Sequence, residues 1–202
     1  MIIQLSPHPS PYQIDRLAGF LNRGGLLGMP TDTSYSLVCL PDNKAAAQKM
    51  SQLRRLDPKK PLALMFRDIR QVSEFAMVDD LQYRLMKRYL PGPYCFILES
   101  KRSLPRFIGD KRKRFGARIP DHVVPQALIE AVAKPLLVTS AIDPETDFLA
   151  TDPWTVESFF GHGLDAVIDA GEVPGGVSSV VDLTVAPPEV FRTGIGDVSA
   201  FM

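Results

Sequence analysis

Pro30-Thr31-Asp32-Thr33-Ser34-Tyr35-Ser36-Leu37 directly follows the apolar run Leu26-Leu27-Gly28-Met29. The run reads as a buried strand. Thr31–Ser36 hold four small hydroxyls, one carboxylate and one phenol. A surface loop would carry more Gly, Lys or Glu, and a packed strand more Val and Ile. Hydroxyls both donate and accept hydrogen bonds. Clustered at the end of a buried strand, they suit the orientation of a small polar ligand. They suit a polar strand start with satisfied hydroxyls equally well, and the octet alone leaves the two readings even.

Outward from this octet, strand and helix signals alternate. Ile2–Leu5, Leu26–Met29, Tyr35–Leu40, Pro61–Phe66, Tyr94–Leu98, Gly116–Ile119, Leu136–Val138, Ala166–Asp169, Val180–Leu183 and Val190–Phe191 read as strands. Ser10-Pro11 opens a helix that Gly24-Gly25 closes. Asp42, Asp68, Asp79 and Asp152 are expected to cap further helices, the first reaching about Leu53, and another helix covers Val123–Ala133. Alternation of this kind implies a layered α/β domain. Short and proline-rich links favour a mixed sheet over a fully parallel one. With 202 residues and no dividing linker, residues 1–202 read as a single domain.

The composition excludes several classes. There is no run of about 18 apolar residues, so a membrane span is not expected. Pro7, His8 and Pro9 interrupt the N-terminus, unlike a signal peptide. Cys39 and Cys95 sit in apolar segments without metal-ligand spacing and read as buried free thiols, which places the protein in the cytoplasm with no protein-ligated metal. The zero net charge hides a polarity. Residues 1–135 carry a balance of +10, and residues 136–202 a balance of −10, with Arg192 their one basic residue. Such asymmetry suggests a face for anions. Lys111-Arg112-Lys113-Arg114 is the densest basic run, preceded by Lys101, Arg102 and Arg106, and Arg54, Arg55, Lys59 and Lys60 form a second group. No P-loop or Rossmann fingerprint is present, so any ATP site must use side chains and irregular loops.

Six blocks in order resemble the YrdC/YciO family. The octet resembles its Pro-Thr-Asp-Thr-x-Tyr-Gly-Leu, with Ser36 in place of Gly. Ser51–Leu62 resembles a Lys-x-Arg segment running into Pro-Leu. Arg54 or Arg55 supplies the cation there, while Gln52 or Leu53 stands where the lysine would be. Leu90–Leu98 resembles Pro-Gly-Pro-x-Thr, with Cys95 in place of Thr, and reads as a rigid turn feeding a core strand. Gly116–His122 resembles Arg-x-Pro-x-His, with Arg118 and His122, and His122 is also explained as a helix cap. Pro135–Ile142 resembles a strand ending in Ser-Ala-Asn, with Ile142 in place of Asn. Gly175–Leu183 and Arg192-x-Gly194 resemble the closing Gly-x-x-Ser-Thr-x-Val-Asp-Leu and Arg-x-Gly.

The resemblance implies a twisted open sheet with a concave binding surface, and the departures place the chain nearer the YciO branch. By resemblance to the YrdC members, the protein is expected to act as an L-threonylcarbamoyladenylate synthase. It would condense L-threonine, bicarbonate and ATP, with Mg²⁺ accompanying the ATP, for tRNA modification. Thr31, Thr33, Tyr35 and Arg118 would hold threonine. Arg54, Arg55, Thr139, Ser140, Ser178, Ser179 and Arg192 would hold the nucleotide. Neither a general base nor a covalent nucleophile is evident. The alternative is a non-catalytic module for double-stranded RNA or tRNA, with Lys111, Arg112, Lys113 and Arg114 on the phosphate backbone. Two questions stay open in the sequence. Arg118 needs an anionic partner, from ligand or protein; with a ligand as partner, its removal would scarcely destabilise the unliganded protein. Arg192 could meet Asp182 or a phosphate.

Overall fold

A computed structural model describes residues 1–6, 8–57, 61–101, 103–105, 107–111 and 113–202. These residues share one eleven-stranded mixed sheet. Its strands are β1 (Ile2–Gln4), β2 (Leu27–Met29), β3 (Ser36–Cys39), β4 (Ala63–Met65), β5 (Ala76–Met77), β6 (Tyr94–Ser100), β7 (Arg114–Arg118), β8 (Leu136–Ser140), β9 (Ala166–Asp169), β10 (Ser179–Asp182) and β11 (Glu189–Arg192). The order across the sheet is β1-β9-β2-β3-β8-β4-β7-β6-β10-β11, with β5 on the flank of β6. The helices are α1 (Pro11–Asn22), α2 (Lys44–Leu53), α3 (Ile69–Phe75), α4 (Asp80–Tyr89), α5 (Val123–Val132) and α6 (Pro153–Phe160). None is long and apolar enough to cross a membrane.

The caps are where local chemistry places them. Ser10 accepts from Gln13 N in a capping box ahead of Pro11. Asp68, Asp79 and Asp152 accept from Gln71, Gln82 and Thr155 N. The expected cap of α2 shifts by one residue: Asn43 takes the helix start, and Asp42 instead pairs with Lys134. Asn and Asp cap almost equally well, so the tertiary ion pair decides between neighbours. Most strand ends shift by one or two residues: β8 runs on to Ser140 and β6 to Ser100, and β7 begins at Arg114, inside the basic run.

Alternation along the strands divides the core into two layers. Leu37, Cys39, Leu64, Phe96, Leu98, Phe115, Leu137 and Val181 pack with α2, α3, α4 and α6. Leu27, Met29, Val38, Met65, Leu136 and Val138 pack with α1 and α5. Each such side chain contributes roughly 1.5–3 kcal/mol on burial. On this second face α1 and α5 do not reach β7, β6 and β10. There Ala63, Gly116, Ile97 and Val180 are only partly buried.

A strap of residues 170–178 links β9 to β10, although six strands lie between them. In a flat sheet seven spacings of about 4.8 Å would separate them by about 34 Å, close to the full reach of that stretch of extended chain. The strap is not fully extended, because Gly171, Gly175 and Gly176 all have positive φ. The sheet therefore curls and brings the β2–β3 side back towards β10. The strap is tied down on the way: Val173 N donates to Thr151 O and Gly175 N to Thr33 O, both bonds near 3 Å (3.0 and 2.9 Å). Gly194 permits the close fit at its far end, where an added Cβ would lie 2.1 Å from Val177 O.

His122 caps α5, its Nδ1 accepting from Val124 N at 3.2 Å. Burial holds its pKa below the ordinary value, against the opposing charges of Asp32 and Asp121. A lowered folded-state pKa means that the unfolded chain binds more protons at acid pH. Stability present above about pH 6.5 is therefore lost as the pH falls below it. Urea melts from pH 7.5 to 5 should show this loss, and His122→Asn, which keeps an accepting cap without titrating, should flatten it.

Candidate functional site

Residues paired across a sheet share a face. The registers therefore place Leu136, Met65, Arg118, Cys95, Val180 and Arg192 in one row across β8, β4, β7, β6, β10 and β11. The neighbouring row holds Gly116, Ile97, Asp182 and Glu189. The β8 and β4 end of the first row, Leu136 and Met65, is buried under α1 and α5; from β7 across β6 to β10 both rows lie on the part of that face which these helices leave bare. The result is an open cleft with a low, largely apolar floor and an arginine on either side. Gly116 keeps the floor low, since a Cβ there would lie 2.8 Å from Cys95 Sγ and 3.4 Å from Ala63 Cβ. Two other concavities lie outside the floor of this cleft, the first touching the rows only at Glu189. One of about 510 Å³ is lined by Val185, Pro187, Val190 and Phe201, and one of about 650 Å³ by Lys49, Arg55, Glu145 and His162.

The curl of the sheet brings Arg118 to the octet. Its Nη2 donates to Asp32 Oδ1 at 2.6 Å, Thr33 Oγ1 at 2.8 Å and Thr31 Oγ1 at 3.2 Å. Thr31 Oγ1 donates to Ser34 O and accepts from the Thr33 and Ser34 amides, which folds the octet into a tight turn. Arg118 and Asp32 are 5% and 9% exposed. Four buried polar atoms around this turn have no hydrogen-bond partner among the described residues: Arg118 Nε, Asp32 Oδ2, Ser34 Oγ and Ser36 Oγ. Buried groups are normally satisfied, so such a cluster marks a place prepared for something else.

The opposite wall is built from the end of the strap. Arg192 Nε and Nη2 donate to Ser178 O at 3.0 and 2.8 Å. Its acid partner in the sequence reading, Asp182, is taken by Arg114 at 2.7 Å. Arg192 thus meets a neutral carbonyl and no carboxylate among the described residues, while burial and the field of Arg118 lower its pKa. Between the two arginines lies Cys95, whose thiol burial pushes up to about 11 despite both cations. It is protonated at neutral pH and is no nucleophile.

The structure brings together only part of the expected site set. Thr31, Thr33, Arg118, Ser178 and Arg192 gather at the cleft. Tyr35 is fully buried and spends its hydroxyl on Gly171 O at 2.8 Å, anchoring the strap. Burial drives its phenol well above the ordinary range. Arg54 donates to the carbonyls of Ser140 and Ile142 and so holds the end of β8. Arg55 is exposed and pairs with Glu145. Thr139 faces the same side as Leu37, away from the cleft, whereas Ser140 shares a face with Ser36. Ser179 is buried and bonded to Gly196 O and Gly194 N. In the basic run, Lys111 and Lys113 are exposed, but Arg114 is not available to a backbone phosphate, because Asp110 and Asp182 hold it. Arg112, like Lys59, Lys60, Arg102 and Arg106, lies outside the described residues. Sequence reasoning omitted Asp32 from the site, although it stands inside the octet.

A family model, Sua5/YciO/YrdC, described as "Telomere recombination", matches residues 19–194. The uncharacterized protein YciO of Escherichia coli K12 is 34% identical over 96% of this chain and 95% of its own length. The crystal structure of E. coli YciO superposes with a TM-score of 0.94 over 100% of this chain and 99% of that one. The threonylcarbamoyl-AMP synthase of Pyrococcus abyssi is 28% identical over 96% of this chain. The crystal structure of P. abyssi Sua5 complexed with L-threonine gives a TM-score of 0.89, this chain spanning 57% of its length.

The Asp32 pairing corrects the expectation that Arg118 could be removed from the unliganded protein at little cost. Breaking a buried pair strands its partner and costs about 3–5 kcal/mol. Asp32 sits at the cleft margin, and the Thr31 and Thr33 hydroxyls can turn towards it, so Arg118→Ala should fall near the lower end, about 3 kcal/mol. Denaturant titration of both proteins without ligand checks this.

Proposed function

The chain belongs to the Sua5/YciO/YrdC family, and on that premise we propose that its cleft forms threonylcarbamoyl-AMP from L-threonine, bicarbonate and ATP. The observation that carries this reading is the Arg118–Thr31–Thr33 cluster. It is a buried guanidinium with a free Nε, ringed by hydroxyls, at the edge of an open cleft.

In this reading Arg118 receives the threonine carboxylate, and Thr31 and Thr33 keep the guanidinium in plane. The threonine ammonium first gives up a proton to solvent, the amine so formed adds to the bicarbonate carbon, and loss of water gives a carbamate. A carbamate oxygen then attacks the α-phosphorus, and pyrophosphate leaves with the bonding electrons. Arg192, held by Ser178 across the floor, meets the nucleotide phosphates, with Ser140 at the margin. Magnesium enters as the MgATP substrate. The nearest floor carboxylate, Asp182, is already bonded to Arg114 and Thr184, so the metal would be held by the phosphates. Tyr35 and Arg54 act on the frame, one pinning the strap and the other the end of β8. The Cys95 and Tyr35 pKa values lie far above neutrality and His122 Nδ1 is used as a cap, so the chemistry rests on positioning and charge neutralisation.

The purified protein should release pyrophosphate from ATP only when threonine and bicarbonate are both present, and Arg192→Ala should lower that rate by about 10²-fold, the scale for one preorganised donor. No release above a heat-killed control, together with no ATP binding by calorimetry, would rule the reading out for this substrate set.

A further inference from the structure

The Arg118–Asp32 pair is incomplete on both sides. Asp32 engages Arg118 through Oδ1 alone, at 2.6 Å, and its Oδ2 is buried without a partner among the described residues. Arg118 engages through Nη2 alone, and its Nε is buried without a partner. Both side chains are more than nine-tenths buried. Nη2 has two hydrogens for three acceptors, whereas the adjacent Nε–H has none. The pair therefore leaves one buried donor, Nε, unmatched on its cation and one buried acceptor, Oδ2, unmatched on its anion.

We propose that Asp32 is the residue that makes this site selective for a zwitterion. It does so in two ways. Its carboxylate already sits on Arg118, so a simple carboxylate or phosphate arriving at Nε brings a second negative charge beside a buried first one, which is unfavourable where water screens little. A ligand that also carries an ammonium group places that positive charge against Oδ2 and removes the repulsion. An α-amino acid satisfies both open atoms at once, with the carboxylate on Nε and the ammonium on Oδ2. Selectivity here comes from an element that repels the wrong ligand as much as from one that attracts the right one. The inference rests on the amino-acid reading of the site given above and adds the residue that enforces it.

The test compares L-threonine with 3-hydroxybutyrate, the same skeleton with hydrogen in place of the amine, by calorimetry on the full chain at pH 7.5. Wild type should prefer threonine by at least tenfold. Asp32→Asn should reduce that preference to threefold or less, with the affinity for 3-hydroxybutyrate rising in absolute terms because the repelling charge is gone. An Asp32→Asn protein that keeps the full preference overturns the proposal. Should that variant fail to fold, competition on wild type decides. At equal, saturating concentrations 3-hydroxybutyrate should displace no more than about a tenth of the bound threonine, and displacement of about half overturns the proposal without any variant. The two readings fail separately. Wild type that binds threonine and releases pyrophosphate, but whose preference does not depend on Asp32, sinks this proposal alone. Wild type that binds neither compound sinks both.

Discussion

A guanidinium buried beside a carboxylate, Arg118 on Asp32, is the contact around which the cleft is arranged. Neither charge is tolerable alone in that position, and together they hold β7 to the turn between β2 and β3 across two intervening strands. The pair thereby fixes the curl of the sheet at the place where ligand groups must converge. It also leaves two buried polar atoms, Arg118 Nε and Asp32 Oδ2, unmatched among the described residues. In the proposed reading the same contact is both a brace for the fold and part of the binding site.

The rest of the site follows from how the sheet is covered. Helices α1 and α5 bury one half of a face and leave the other half open, and Gly116 keeps that open floor low. The strap from β9 to β10 crosses the breadth of the sheet, bonded on its way to Tyr35, Thr151 and Thr33, and ends at Ser178, which holds Arg192. One continuous segment therefore links the Arg118 wall to the Arg192 wall, the two that the proposed reading assigns to an amino acid and a phosphate. Residues that look like ligand contacts in the sequence, Tyr35 and Arg54 among them, instead fix this frame.

Much of the fold was legible because its signals are local. Apolar runs gave nearly all of the strands, and Ser10, Asp68, Asp79 and Asp152 announced their helices through the side chains that cap them. What was not legible depends on contacts between distant residues. Asp42 or Asn43 could have capped α2, and only Lys134 decides. Arg114 read as one of a basic run, and its commitment to Asp182 requires the pairing of β6 with both β7 and β10. The two-residue β5 carries too little pattern to be seen. In the site, the octet stood out through its hydroxyls, but the partner of Arg118 lay 86 positions away and depends on the curl of the sheet. Which side of a strand a residue faces also needs the register, and this separates Thr139 from Ser140.

The direct measurement of the central contact is a double-mutant cycle on folding stability, with Arg118→Gln, Asp32→Asn and the combination, each measured by denaturant unfolding without ligand. For a buried pair that organises the cleft, the expected coupling is at least about 2 kcal/mol, with the double variant more stable than the two single losses would sum to. Single effects that simply add, within about 0.5 kcal/mol, would mean that Arg118 and Asp32 do not depend on each other. That result would contradict the arrangement described.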